Sequence, residues 1–282
     1  MSDKKKTLTI AAVILCLSLL ITFQATGADA AEKGDRRLIG NFVQDGEILE
    51  SHWGEAQILY ADYNEYDFSR LQLQTVGAFR VTQDIEIGIF IPFAMVDPDG
   101  KDSEWGLVNI PVYAKYRFLT APCDLSAGLT IDLPSGDEDL FLLPGQGEFH
   151  LEGFAAARYQ IPNQDIHLIG SAGIRYNSDI SFCINACERD VDGKVAFLLN
   201  VGALFGINDQ LDLSAEFLMA TEDYGIMVTE DNEIKELDHD LSLLFGGHFA
   251  FNSSFKFRGG LQIGLSDGAS DVGLIGSAIY QF

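Results

Sequence analysis

The closing run Val272-Gly273-Leu274-Ile275-Gly276-Ser277-Ala278-Ile279-Tyr280-Gln281-Phe282 decides the fold. Val272, Leu274, Gly276, Ala278, Tyr280 and Phe282 fall on one side of an extended chain, and Gly273, Ile275, Ser277, Ile279 and Gln281 on the other. A period of two is the signature of a strand. The first face can meet lipid, and the second is small or weakly polar. No polar tail follows Phe282. Soluble domains usually end in frayed, polar residues. The last strand of a closed transmembrane barrel must instead pair with the first. The expected partner is a first strand, near Ile58 and Tyr60.

Working back from this run, the same alternation fills almost the whole chain. Ile85, Ile87, Ile89, Ile91 and Phe93 alternate with Glu86, Gly88, Phe90 and Pro92. Leu211, Leu213, Ala215, Phe217 and Met219 alternate with Asp212, Ser214, Glu216 and Leu218. Twelve runs emerge, at 53–64, 70–82, 84–95, 105–118, 123–133, 147–160, 165–178, 193–207, 210–222, 239–252, 254–266 and 271–282. Most exceed an ordinary strand and fit the ~9–11 residues that cross a bilayer at a tilt. Short links near Gln83, 119–122, 161–164, 208–209 and Ser253 alternate with mostly longer ones at 65–69, 96–104, 134–146, 179–192, 223–238 and 267–270. Outer-membrane barrels place short turns in the periplasm and long loops outside. The expected fold is therefore all-β, a transmembrane antiparallel β-barrel of about 12 strands in an up-and-down meander. A soluble β-sandwich or lipocalin-like barrel is the rival. It would have to turn the apolar faces of twelve long strands into one wide or doubled core.

Three segments are expected. Residues 1–30 read as a cleaved signal peptide: Lys4, Lys5 and Lys6, an apolar run over 7–23, and Ala28-Asp29-Ala30 as the cleavage pattern. The run is short for a spanning helix. Residues 31–52 precede the first clear strand and are compatible with the periplasm, the barrel interior or an addition to the wall. Residues 53–282 form the barrel. Removing residues 1–30 leaves 15 basic against 40 acidic residues, a charge of −25. That sign argues against nucleic acid as a partner. Cys183 and Cys187 are close together in a polar segment, and an oxidising compartment favours a disulfide between them. No third or fourth ligand suggests a metal site.

A charge facing lipid at mid-membrane costs about 2–4 kcal/mol, so the charged residues within the runs are assigned to the lumen. They are Arg80, Glu86, Lys115, Arg117, Arg158, His167, Asp212, Glu216, Lys256 and Arg258. Most lie within a few residues of a short turn, so they gather in the periplasmic half. Glu86, Asp212 and Glu216 are placed to pair with the neighbouring Arg and Lys. Such a set either stiffens the barrel as an ion-pair network or forms a charged constriction that selects solutes by sign. The long loops are acidic, with Asp97, Asp99, Asp102 and Glu104 in one and Asp137, Glu138 and Asp139 in the next. They form a solvated rim that could also hold divalent ions against lipid phosphates. No catalytic site is expected. A nucleophile needs a base within hydrogen-bond reach. His239 and Ser242 fall on opposite strand faces, and His248 and Ser242 are six residues apart. His150 and Glu152 share a lumen face, where an ordinary hydrogen bond is the simpler reading.

Two resemblances extend this reading. The closing run, with Tyr280 and Phe282, resembles the C-terminal assembly signal of bacterial outer-membrane barrels, which implies the barrel-assembly machinery as a partner. Ser277 stands where that signal usually has Gly. Residues 112–118, Val-Tyr-Ala-Lys-Tyr-Arg-Phe, then Asp124-Leu125-Ser126-Ala127-Gly128-Leu129, Leu133-Pro134-Ser135-Gly136-Asp137 and Gly145-Gln146-Gly147, come in an order that resembles the outer-membrane transporters grouped with the meta-pathway of phenol degradation. Ser135 replaces that family's Thr. The family implies a monomeric barrel that passes small, often hydrophobic, organic compounds. The combined expectation is a bacterial outer-membrane channel, passing small solutes by diffusion through a charged lumen. No cofactor is expected. Its partners would be outer-membrane lipids, lipopolysaccharide and a small-molecule solute. The alternatives are a structural or adhesive barrel with an occluded lumen, and a membrane-edge lipid hydrolase.

Overall fold

A computed structural model of the chain describes residues 37–40, 44–64, 67–98, 102–136, 149–184, 187–191, 193–221, 226–228, 234–236 and 239–282. For 180–184, 187–191, 226–228 and 234–236 it describes the backbone alone. The expected signal peptide lies outside these residues, as do the side chains of Cys183 and Cys187.

The strands in chain order are β1 (Trp53–Tyr63), β2 (Phe68–Thr82), β3 (Ile85–Pro98), β4 (Glu104–Leu107), β5 (Ile110–Leu119), β6 (Asp124–Leu133), β7 (His150–Gln160), β8 (Ile166–Asn177), β9 (Ile180–Ile184), β10 (Cys187–Val191), β11 (Lys194–Gly206), β12 (Leu211–Ala220), β13 (Ile226–Val228), β14 (Ile234–Glu236), β15 (Asp240–Ala250), β16 (Phe255–Gly264) and β17 (Val272–Gln281). Thirteen of them make one sheet, which closes because β1 pairs with both β2 and β17 while β2 also pairs with β3. Both β4 and β5 lie along β3, so they are two pieces of one stave and the wall has twelve. All the pairings are antiparallel between sequence neighbours in the wall, the expected meander.

The interruption at 108–109 has a cause in β3. Val108 N donates to Pro92 O at 3.1 Å, and Pro92 has no N–H to return. The closing seam forms as expected between the last strand and the first. Ile58 faces Gly276 and Tyr60 faces Leu274, whereas Phe282 itself sits lower, with its N–H on His52 O at 3.0 Å. Two short hairpins, β9–β10 and β13–β14, occupy segments expected to be plain loops. Long polar links can satisfy their backbone groups by pairing with themselves.

Alternation sorts the side chains as a bilayer requires. On β3, Ile87, Ile89, Ile91 and Phe93 are exposed, while Glu86, Gly88, Pro92 and Ala94 point inward and are buried. Tyr116, Phe118, Tyr159, Phe205, Tyr280 and Phe282 are exposed near the ends that carry the short turns, an aromatic girdle of the kind that marks the membrane interface. No helix among the described residues is long and apolar enough to cross a membrane, and the crossing is by strands. A closed antiparallel barrel with an apolar outer belt is the architecture of the bacterial outer membrane.

Inside, small residues admit large neighbours. A Cβ on Gly88 would lie 2.3 Å from the Tyr113 ring, and one on Gly128 would lie 2.4 Å from the Phe154 ring. Tyr113 and Phe154 join Trp53, Val76, Ala78, Ala156 and Leu49 in an apolar cluster within the barrel. Leu49 does not belong to the wall, and this is the first sign of what fills the lumen.

Candidate functional site

Residues 37–40 and 44–49 lie inside the barrel. Leu38 and Ile39 are each 1% exposed, and Asp45 is 0% exposed. Of the three placements open for 31–52, the described part takes the interior. The segment is shaped by what it must pass: a Cβ on Gly46 would lie 2.5 Å from Asp124 O and 2.7 Å from Arg158 N, so only glycine fits against the wall there.

Four sets of contacts hold this plug. Glu86 is the first node. It accepts from Arg37 Nη2 at 2.9 Å and Arg37 Nη1 at 3.3 Å, from Leu49 N at 3.4 Å and from Tyr113 Oη at 3.0 Å, with Lys115 Nζ at 3.7 Å. One wall carboxylate thus ties both arms of the plug. Burial alone would lower the Arg37 pKa, but the Glu86 carboxylate outweighs it and holds the guanidinium above its ordinary value. The same guanidinium lies 5.6 Å over the Trp53 ring.

The second node is Asp45. Arg158 Nη1 reaches its Oδ2 at 2.8 Å and Glu47 Oε2 at 3.0 Å. Lys115 Nζ donates to Asp45 O at 3.2 Å and Glu47 O at 2.7 Å, and Ser126 Oγ donates to Asp45 O at 3.1 Å. The third is Glu216, whose two oxygens accept from Ile39 N at 2.6 Å and Gly40 N at 3.0 Å. Beside it Arg258 Nη1 donates to Leu38 O at 3.2 Å while forking onto Glu55 at 2.6–2.9 Å. The fourth is Gln44, which donates to Glu152 and accepts from Ser171 Oγ at 2.9 Å. Apolar packing backs these polar bonds, with Leu38 against Ile169 and Leu204.

Of the ten expected lumen residues, Glu86, Lys115, Arg158, Glu216 and Arg258 converge on the plug. Asp212 and Lys256 are buried, and His167 is half-buried. Arg80 and Arg117 stay near the short turns. Arg80 Nη1 donates to Glu50 O at 2.7 Å, and Arg117 pairs with Asp84 at 3.3 Å and Asp124 at 3.9 Å. The pairing expected within the wall holds for Glu86 with Lys115. For Glu216 it does not. Among the described residues that carboxylate meets plug backbone and no Arg or Lys within ion-pair distance. The partners that reasoning from the wall missed are Arg37, Gln44, Asp45 and Glu47. A signal was present: the wall offers more inward charges than neighbouring strands can pair, and 31–52 carries charges and the apolar pairs Leu38-Ile39 and Ile48-Leu49.

Nearer the long loops, Asp132 accepts from Arg175 Nη2 at 2.7 Å and lies 3.0 Å from His150 Nδ1. His150 therefore meets Asp132, while Glu152 lies 3.8 Å from Arg175 Nε. Ser242 Oγ donates to Asp240 at 3.2 Å and accepts from Gln262 at 3.0 Å. No histidine is among its hydrogen-bond partners in the described residues. No group of three or more His, Cys, Asp or Glu among the described residues is placed to hold a metal.

Comparison with known proteins gives the fold a context. No family model matches the chain, and no curated protein matches it. Among solved structures, it is similar to an outer membrane channel from Pseudomonas putida F1, with a TM-score of 0.65 at 13% identity, covering 88% of this chain and 100% of that one. It is also similar to the β domain of the Bordetella autotransporter BrkA, with a TM-score of 0.50 at 14% identity, covering 82% of this chain and 99% of that one. The chain therefore has an outer-membrane barrel fold. Its lumen holds residues 37–40 and 44–49 of its own chain.

Proposed function

We propose that the protein is a plugged outer-membrane channel for small organic solutes, with the segment between Arg37 and Leu49 as the element that must shift for solute to pass. The observation that carries this reading is the placement of five wall charges around the plug (Glu86, Lys115, Arg158, Glu216 and Arg258). The charged lumen residues thus act on the plug before they act on any solute. Two features support an apolar or aromatic solute. One is the resemblance of the motifs between Val112 and Gly147 to the phenol-degradation transporters. The other is an apolar strip of Phe68, Ala94 and Val96, with Tyr63 and Val108 against it, towards the long-loop end of the lumen. Lipid and lipopolysaccharide would contact the outer belt, and the barrel-assembly machinery would read Tyr280 and Phe282.

The test is current across planar bilayers from the purified, folded protein and from a variant lacking residues 37–49. The full chain should give small or intermittent steps and the deletion a larger, steady conductance. No current from either protein would sink the channel reading. Equal current from both would mean that the plug does not limit passage.

A further inference from the structure

We infer that the wall groove holding Leu38, Ile39 and Gly40 is a ligand-binding site for an amphiphile with an ammonium head, and that the plug arm occupies it as an internal stand-in. The inference rests on the channel reading and adds what opens it.

The groove has a built shape. A Cβ on Gly202 would lie 2.9 Å from Leu38 Cδ2, and one on Gly246 would lie 2.2 Å from Ile39 Cδ1. The floor is glycine where the plug's branched side chains press on it, while Ile169 and Leu204 line the Leu38 end. The slot is mostly apolar where Leu38 and Ile39 press on it, with Ser214 Oγ beside the Ile39 end. Glu216, 2% exposed, stands at its end.

The charge balance sets this groove apart from the other plug contacts. If the arm at 37–40 leaves, Glu86 still has Lys115 and Tyr113, and Glu55 keeps Arg258. Glu216 loses both of its donors at once, because the N–H groups of Ile39 and Gly40 are its hydrogen-bond partners among the described residues. A buried carboxylate stripped of its donors is costly. A ligand that replaces the arm must therefore bring N–H donors to Glu216 and apolar bulk to the slot. A primary ammonium on an alkyl or aryl body supplies both, with the matching sign. Such a ligand binds only when the arm is out, so it shifts the population towards the open lumen. A carboxylate-headed amphiphile has the wrong charge, and a quaternary ammonium has the charge without the N–H.

Hydrogen exchange on the full, folded chain in a membrane mimetic tests this, with decylamine, decanoate and decyltrimethylammonium as probes. Decylamine should speed exchange in the peptide spanning 37–40 at least tenfold, saturably, while the other two leave it unchanged. In Glu216→Gln the half-saturating amine concentration should rise at least tenfold. The three-probe comparison on the unmodified chain stands even if that variant does not fold. Equal effects from decanoate or decyltrimethylammonium would overturn the proposal, as would no effect from decylamine, which would leave the plug as the sole occupant of the groove. A protein that conducts yet ignores the amine loses this inference and keeps the channel. Absence of current from the plug-deleted variant removes the channel reading itself.

Discussion

Replacing Arg37 by Ala should loosen the plug by an amount that the geometry bounds. Arg37 gives Glu86 two hydrogen bonds, at 2.9 and 3.3 Å, and covers Trp53. Breaking a buried ion pair costs about 3–5 kcal/mol when the surviving charge is left alone. Glu86 is not left alone, because Lys115 stays at 3.7 Å and Tyr113 at 3.0 Å. The loss therefore falls to about 2–3 kcal/mol, the upper part of the range for a hydrogen bond to a charged group. If Arg37 is solvated when the arm is out, the whole loss falls on the plugged state. The open population then rises about 30- to 140-fold. Single-channel recording reads this as open probability. Trp53 gives an independent reading. It is 3% exposed beneath the plug, and in a Trp105→Phe background its emission should shift to the red. Arg37→Lys, which keeps the charge but not the fork, should fall between. If Arg37→Ala leaves open probability and Trp53 emission unchanged in a barrel that still runs as folded on gels, the latch reasoning fails.

Three further outcomes follow from the wall and one from the β9–β10 hairpin. Gly88→Ala puts a methyl 2.3 Å from the Tyr113 ring; it should lower stability by about 1–3 kcal/mol, read as a lower urea midpoint, and an unchanged midpoint would mean the ring moves freely. Leu129→Arg sets a charge on the lipid face at mid-strand, where Leu129 is 54% exposed; unfolding from liposomes should become easier by about 2–4 kcal/mol, and no loss would deny that this face meets lipid. Changing Tyr280 and Phe282 together to Ala should cut the amount of inserted barrel in cells while the purified chain still refolds, whereas normal insertion would refute their role as an assembly signal. Across the β9–β10 hairpin Cys183 pairs with Glu188 and Cys187 with Ile184, a register that does not set the two cysteines opposite each other, so protection from alkylation until reductant is added would establish the expected bond and labelling without reductant would exclude it.

The wall was legible because it obeys a local rule. Each strand shows period two, and one face of β3 or β12 reads as apolar without reference to any other strand. The turns follow from the same count, and so does the seam between β17 and β1. The finer departures were not legible because they are pair properties. The break at 108–109 needs Pro92 on the neighbouring stave. The descent of Phe282 to His52 needs the seam register, which a single strand does not carry. The hairpins in the long links arise from segments too short and polar to stand out as strands.

The lumen site was half legible, and the missing half follows from electrostatics. Sequence periodicity assigns a charge to the inside but cannot say what neutralises it. Inward carboxylates such as Glu86 and Glu216 sit at almost no exposure, a condition that water cannot relieve and that neighbouring strands meet only in part. Buried charge requires partners, so the wall must recruit them from elsewhere in the chain. Among the described residues the recruits are 37–40 and 44–49, which bring Arg37 to Glu86, Asp45 to Arg158 and two backbone N–H groups to Glu216. The argument also runs in reverse. Whatever moves the plug must leave each of these wall charges with a substitute partner. Glu86 has one in Lys115. Glu216 has none among the described side chains of Arg and Lys within ion-pair distance, so a solute that displaces the arm at 37–40 must supply its donors.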